Sequence, residues 1–354
     1  MSKKVSISAS VAGALKGGKS FDLSSFKAKK NLSQVKFKPQ TWIPLSKAFN
    51  DILQLPGIPI GHISILRGHS DSGKTTSMIE AAVSAQKMGI LPIFIITEMK
   101  WNWEHAIKMG LKVEEVYDED SGELIDYSGD FIYIDRGSLN TIEDVAAFIS
   151  DILDEQKKGR LPYNLLFMWD SVGSIPCEMV IEKGKVANEW NAGAIAQQFG
   201  NFINQQFTLS RKETSPFTNT FIVVNKVWVQ RPKLPMEQPK IRNKGGDTMF
   251  FDSSLVLTFG GIENSGTNKI KAVSNKKTVE YAKRTKISCD KNHITGIQCR
   301  GNIIMTPHGF IFDSKDSIDS YKDEHLDELM QLLGTDNFSL IEESEDSSVI
   351  EYSE

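Results

Sequence analysis

The chain is punctuated by short, unbroken apolar runs at residues 60–66, 91–97, 131–134, 165–169 and 220–224, separated by stretches whose apolar residues recur at helical spacing, 76–88, 101–109 and 141–156. A strand that is apolar on both faces belongs to a sheet covered on both sides. The alternation therefore predicts an α/β fold, a largely parallel sheet flanked by helices, with ligands at the C-terminal strand ends. Thr141, followed by an acidic first turn, opens the 141–156 helix, and Gly110 closes the 101–109 helix. Residues 118–129 read as an acidic turn region. Beyond Gly245-Gly246 the runs shorten to 254–259, 283–288, 301–305 and 310–312, which predicts antiparallel strands on the C-terminal side. Leu326, Leu329, Met330 and Leu333 form one helical stripe between 321 and 333, and residues 342–354 read as a disordered acidic tail.

The chemistry collects at the predicted strand ends. Between the 60–66 run and the helix that follows stand Gly68-His69-Ser70-Asp71-Ser72-Gly73-Lys74-Thr75 and then Thr76, a complete G-x-x-x-x-G-K-T match. Glycines there let backbone N–H groups curl around phosphates while the helix turns its positive end to the same anion. Lys74 supplies a point charge and Thr75 a hydroxyl for Mg²⁺, so the sequence predicts binding of a nucleoside triphosphate with its metal. Asp170 ends the 165–169 run, where it suits either a metal-side carboxylate or a turn former. Glu98 ends the 91–97 run, expected beside the loop strand or one removed, as a base for the attacking water or as the cap of the next helix. Asn225 and Lys226, after the 220–224 run, read either as sensors of the γ-phosphate or as a surface pair.

Two segments suit nucleic acid. One is 175–190, with Lys183 and Lys185. The other is 227–244, where Arg231, Lys233, Lys240, Arg242 and Lys244 face a single acid, and where Trp228 serves either base stacking or ordinary packing. Nine lysines against one acid make residues 1–41 a flexible basic arm. Fourteen acids against two lysines fill 313–354, a C-terminal helix and acidic tail, while 42–312 forms the neutral core. Such ends act in autoinhibition of polyanion binding or are simply solvated. Competition of the tail with DNA predicts tighter DNA binding when 342–354 is deleted.

The longest apolar runs are far too short to span a bilayer, and 5–15 is too weakly apolar for a signal peptide. Cys177, Cys289 and Cys299 form no C-x-x-C pair. The six histidines show neither H-x-x-x-H nor H-x-H spacing, so Mg²⁺ is the metal expected and a reducing, cytosol-like compartment the default.

In order and spacing these motifs resemble the RecA family of bacterial and phage recombinases, including its UvsX-like phage members, over residues 56–312. The matching stretches are Gly57-Ile58-Pro59-Ile60-Gly61, Asp71 to Thr76, Glu98 with Gly110 twelve residues on, Asp170-Ser171-Val172, the strand ending in Asn225, and Gly245-Gly246 followed by Ser253-Ser254. The resemblance implies a RecA-type P-loop ATPase core over 42–312 and a DNA-dependent ATPase in which Glu98 activates water and Asp170 supports Mg²⁺. It implies that 175–190 and 227–244, with Gly245 and Gly246, are DNA-binding loops. It also implies that Arg284 and Lys286 reach the ATP of a neighbouring subunit in a helical filament, and that His105 takes the place of an aromatic on the adenine. Lys226 stands where the family has Gln. The implied partners are single-stranded DNA and homologous double-stranded DNA, with a loader or single-strand-binding protein as accessory, in a bacterial or phage-infected cytosol. A ring helicase of the same fold and an ATP-gated recombination mediator are the alternatives.

Overall fold

The computed structural model describes residues 22, 24–25, 35–184, 188–230, 240–243, 248–260, 268–274, 277–335 and 338–343. The chain divides into two units, Met1–Lys38 and Pro39–Glu354. In the first, the Asp22 carboxylate accepts the backbone N–H groups of Ser24 (2.9 Å) and Ser25 (3.2 Å) and opens a helical turn. In the second, the elements run β1 (Trp42–Ile43), α1 (Lys47–Leu53), β2 (Ile58–Pro59), β3 (Ile63–Gly68), α2 (Lys74–Lys87), β4 (Ile90–Ile96), α3 (Trp103–Lys108), β5 (Glu114–Tyr117), β6 (Leu124–Ser128), β7 (Ile132–Asp135), α4 (Ile142–Lys157) and β8 (Asn164–Val172). There follow α5 (Glu178–Lys183), α6 (Asn188–Ile195), a π-helical stretch (Ala196–Ile203), α7 (Asn204–Ser210), β9 (Asn219–Gln230), β10 (Lys240–Asn243), α8 (Thr248–Asp252) and β11 (Leu255–Phe259). The last elements are β12 (Asn268–Ser274), β13 (Lys277–Asn292), β14 (Arg300–Thr306), β15 (Gly309–Phe312), α9 (Lys315–Glu324), α10 (Leu326–Leu333) and β16 (Ser339–Glu343).

One twelve-stranded sheet carries the architecture, in the order β15-β14-β13-β11-β3-β9-β8-β4-β7, with β10 on β9, β12 on β13 and β16 on β12. The six strands from β11 to β7 are mutually parallel, and the others join antiparallel. The fold is thus α/β with a large mixed sheet, its parallel part flanked by helices. Side-chain alternation explains why these strands read as unbroken apolar runs. Leu66, Phe94, Met168 and Val224 point to one face and pack with Met78 and Ala82 of α2. Ile65, Ile95, Trp169 and Val223 point to the other, where Val145 and Ile149 of α4 and Phe199 and Phe207 of the α6–α7 helix cover them. Burying each such side chain contributes about 1.5–3 kcal/mol. The α4 start is a full capping box, with Thr141 Oγ1 accepting from Asp144 N and Asp144 returning a bond to Thr141 N.

Several expectations need correction. Residues 118–129 are not merely a turn, because β6 lies within them and pairs antiparallel with β5 just before them. The 254–259 strand, expected antiparallel, is parallel to β3 and antiparallel only to β13, since it stands where the sheet changes from one pattern to the other. The 321–333 stripe is two helices broken at His325, so that Tyr321, Leu329 and Leu333 all reach the small core over Ala272 and Tyr281. Glu342 and Glu343, placed in a disordered tail, extend β16 along β12. Finally, β4 does not lie beside β3 or one removed: β9 and β8 stand between them. Among the described residues no helix is long and apolar enough to cross a membrane.

Candidate active site

At the C-terminal ends of the parallel strands the chain leaves a cleft of about 80 Å³, into which Lys74 and Thr75 from the start of α2, Glu98 from just after β4, Asp170 from β8 and Lys226 from β9 converge. The loop between β3 and α2 can take its path only with glycine at both ends. Gly68 has φ 152°, and a Cβ there would lie 2.2 Å from the Phe259 carbonyl oxygen. Gly73 has φ 104°, and its Cβ would meet the Phe310 ring at 2.9 Å. Gly73 begins α2 with no side-chain cap, which leaves the first-turn N–H groups of a fourteen-residue helix without side-chain partners at the cleft.

Lys74 is nearly buried. Its ammonium donates to the His69 carbonyl and, at 3.5 Å, to Ser72 Oγ. Burial pulls its pKa from 10.5 to about 8, although Asp170 and Glu98 oppose this. Next to it Thr75 Oγ1 donates to Asp170 Oδ2 at 2.7 Å. Burial raises the Asp170 pKa against that hydrogen bond. A hydroxyl and a carboxylate side by side form an oxygen donor set of the kind Mg²⁺ takes.

Glu98 reaches the same cleft because the ends of β4 and β8 are tied together: Thr97 N and Glu98 N both donate to the Asp170 carbonyl, at 2.8 and 3.2 Å. The β8–β9 pairing slips between Asp170↔Val224 and Val172↔Asn225, leaving Ser171 as the extra residue. Ser171 Oγ donates to Glu98 Oε1, and Lys226 Nζ stands 2.9 Å from Oε2. Burial alone would raise the Glu98 pKa, but the bonds from Ser171 and Lys226 and the charges of Lys226 and Lys100 outweigh it and hold the carboxylate below its ordinary value. The cap of α3 is Asn102, whose side chain accepts from His105 N, so Glu98 is free of that role.

The other predicted residues divide. Ser70 and Asp71 line the cleft. Thr76 and His105 do not: they line a separate pocket of about 260 Å³ with Tyr281, Met305 and Pro307, and Thr76 Oγ1 contacts Met305 Sδ at 3.4 Å. Asn225 is likewise outside the cleft, buried with Oδ1 making no hydrogen bond. Lys226 is the residue of that pair that reaches it, because neighbours on a strand face opposite sides. Arg284 is paired with Asp313 at 2.7 Å, Lys286 is exposed, and neither lines the cleft.

Of the nucleic-acid candidates, Lys183 ends the exposed helix α5 with its ammonium 4.9 Å from the Trp190 ring. The 227–244 segment, read as a loop, begins and ends as the β9–β10 hairpin, in which Trp228 pairs with Arg242 and Gln230 with Lys240. Lys185, Arg231, Lys233, Lys244, Gly245 and Gly246 lie outside the described residues.

Two contributors escaped sequence reasoning. Ser171 sits in the matched Asp170-Ser171-Val172 stretch, yet only the bulge gives it its contact with Glu98. Thr285, fully buried, donates from Oγ1 to the Ser72 carbonyl at 3.2 Å and braces the loop of residues 68–75 from β13; nothing local signals it. Compared with models of known protein families, the chain matches none.

Proposed function

We propose that this protein is an ATP-dependent DNA recombinase of the RecA type, a DNA-stimulated ATPase that forms filaments on single-stranded DNA and promotes homologous pairing and strand exchange. The observation that carries the reading is the arrival of Glu98, from a strand three places along the sheet, in the cleft that holds the Lys74 loop and the Thr75–Asp170 pair. An anion-binding loop alone serves many purposes. A loop with a metal-type donor pair and an ionised carboxylate facing both is an arrangement suited to hydrolysis.

The uncapped start of α2, the buried Lys74 ammonium and the Thr75–Asp170 oxygens fit a magnesium nucleoside triphosphate. When bound, Mg²⁺ neutralises charge on the phosphate oxygens. Lys74 adds a cation to the same oxygens, and regains there the solvation that burial removes. Glu98, kept ionised by Ser171 and Lys226, is the group able to orient water and accept its proton. Arg284 and Lys286 lie outside this cleft, so a role for them at a nucleotide requires a second subunit. Lys183, on the exposed helix α5, suits a phosphate backbone.

The test joins three measurements: ATP hydrolysis with and without single-stranded DNA, strand exchange with and without ATP, and electron microscopy of the DNA complex. DNA-stimulated hydrolysis that Glu98→Gln abolishes while ATP binding persists, together with filaments and ATP-dependent exchange, is the expected result. Closed rings without filaments would sink the recombinase reading in favour of a helicase. DNA binding gated by ATP without hydrolysis would point to a mediator.

A further inference from the structure

On another part of the fold, the β14–β15 turn and the α9–α10 junction bring together His308, His325 and Glu328. One ligand-capable atom from each lies within 4.8 Å of the others, and all three residues are half-buried. His325 is the residue at which α9 breaks, and Glu328 follows three positions later, one turn into α10, on the same side. The His325 ring stacks on that of His308 with centroids 3.7 Å apart and planes 8° from parallel. No regular histidine spacing betrays the cluster, because His308 comes from a turn seventeen residues upstream.

One ring nitrogen of His308 is engaged by a buried tyrosine pair, and the other faces Glu328. His308 Nδ1 lies 2.6 Å from Tyr321 Oη, and Tyr321 O–H donates to Tyr281 Oη at 3.2 Å. In the tautomer that carries its proton on Nδ1 and donates it to Tyr321, Nε2 keeps its lone pair. Nε2 is 3.5 Å from Glu328 Oε2, and in that tautomer the two atoms are acceptors across a gap that a cation would fill. Lys108, bonded to Oε1 of the same carboxylate, orients Glu328 and leaves Oε2 toward the histidines. A histidine whose second ring nitrogen is hydrogen-bonded to a buried phenol, and a carboxylate anchored through its second oxygen, have the outer contacts that metal ligands carry.

We propose that His308 Nε2, a ring nitrogen of His325 and Glu328 Oε2 bind one divalent transition-metal ion of borderline softness, with zinc as the reference and the fourth position open to water. In a tetrahedral site with metal–ligand bonds of 2.0–2.2 Å the donor atoms stand about 3.4 Å apart. The His308–Glu328 pair is already at that separation. His325, at an open helix break, completes the set by turning its ring off the stack. Two imidazole nitrogens select zinc, cobalt, nickel or copper over the magnesium that suits the nucleotide cleft. The ion would pin the α9–α10 junction to the β14–β15 turn.

The test is titration of the full chain with Zn²⁺, with Mg²⁺ in excess to occupy the nucleotide cleft, alongside Co²⁺ as a spectroscopic probe. One equivalent of Zn²⁺ binds, a rise in Tm accompanies it, and Co²⁺ gives the intense visible bands of four-coordination. His325→Ala and Glu328→Gln each weaken binding at least about tenfold, since loss of even a supporting group at a metal site costs 10–100-fold. Circular dichroism establishes that both variants fold, and Glu328→Gln preserves side-chain shape. Failure of the wild-type chain to bind either ion, or binding that both variants retain undiminished, overturns the proposal.

Discussion

Lys74 gives the sharpest quantitative test, because its burial is written into the stability of the empty protein. Unfolded, the side chain titrates near 10.5; folded, burial brings it to about 8. Between those pH values the unfolded chain binds more protons than the folded one, so stability rises with pH across the window. The total is about 3 kcal/mol, with a slope approaching about 1.4 kcal/mol per pH unit. Below pH 8 the folded protein bears the full cost of a charged, poorly solvated ammonium. Lys74→Met removes that cost together with the charge-assisted bond to the His69 carbonyl, itself worth about 1.5–3 kcal/mol. The two nearly cancel, so at neutral pH the variant is within about 1 kcal/mol of wild type. Urea unfolding of both proteins from neutral pH to 10.5, taken as a difference, cancels the other titrating groups. The difference should move by about 3 kcal/mol in favour of wild type between pH 8 and 10.5. A flat difference would show that Lys74 is solvated in the folded chain and refute the reasoning. Addition of triphosphate should stabilise wild type and leave Lys74→Met unchanged.

Replacing Glu98 by Gln should lower the hydrolysis rate by about 10²–10⁴-fold with little change in ATP affinity, read by single-turnover hydrolysis and equilibrium binding. Lys226→Met removes a cation that holds Glu98 ionised, so the acid limb of the kcat/KM profile should move to higher pH; an unmoved or lowered limb would remove Lys226 from that role. Thr285→Val leaves the Ser72 carbonyl without its brace and should destabilise the protein by about 1 kcal/mol in urea. Truncation after Glu343 spares β16 and removes four acids, and at low salt it should tighten binding to single-stranded DNA; unchanged affinity there would exclude competition by the tail.

Much of the site was legible before the fold. The glycine-bounded loop 68–75, Asp170 and Glu98 all announce themselves at the ends of apolar runs, and the runs became β3, β8 and β4 with their ends displaced by only a few residues. Local pattern fails where neighbouring strands decide the outcome. Glu98 was expected from a strand beside the loop strand or one removed, and in fact arrives from beyond β9 and β8 because the β4 end is tied to the Asp170 carbonyl. Local pattern could not choose between Asn225 and Lys226, whereas the pleat of β9 sends only Lys226 to the cleft.

Sequence pattern alone marked the strands and helices of the parallel part of the sheet, the α/β class and the chemical vocabulary at the strand ends. Periodicity reports which sides of a segment are buried, and a glycine-bounded loop reports its own backbone path. Tertiary structure alone decided the strand order, the bulge that hands Ser171 to Glu98, the brace from Thr285, and the meeting of His308 with His325 and Glu328. Those outcomes depend on pairings between residues far apart in the chain. Their registers are chosen by the packing of whole faces, which no local pattern encodes.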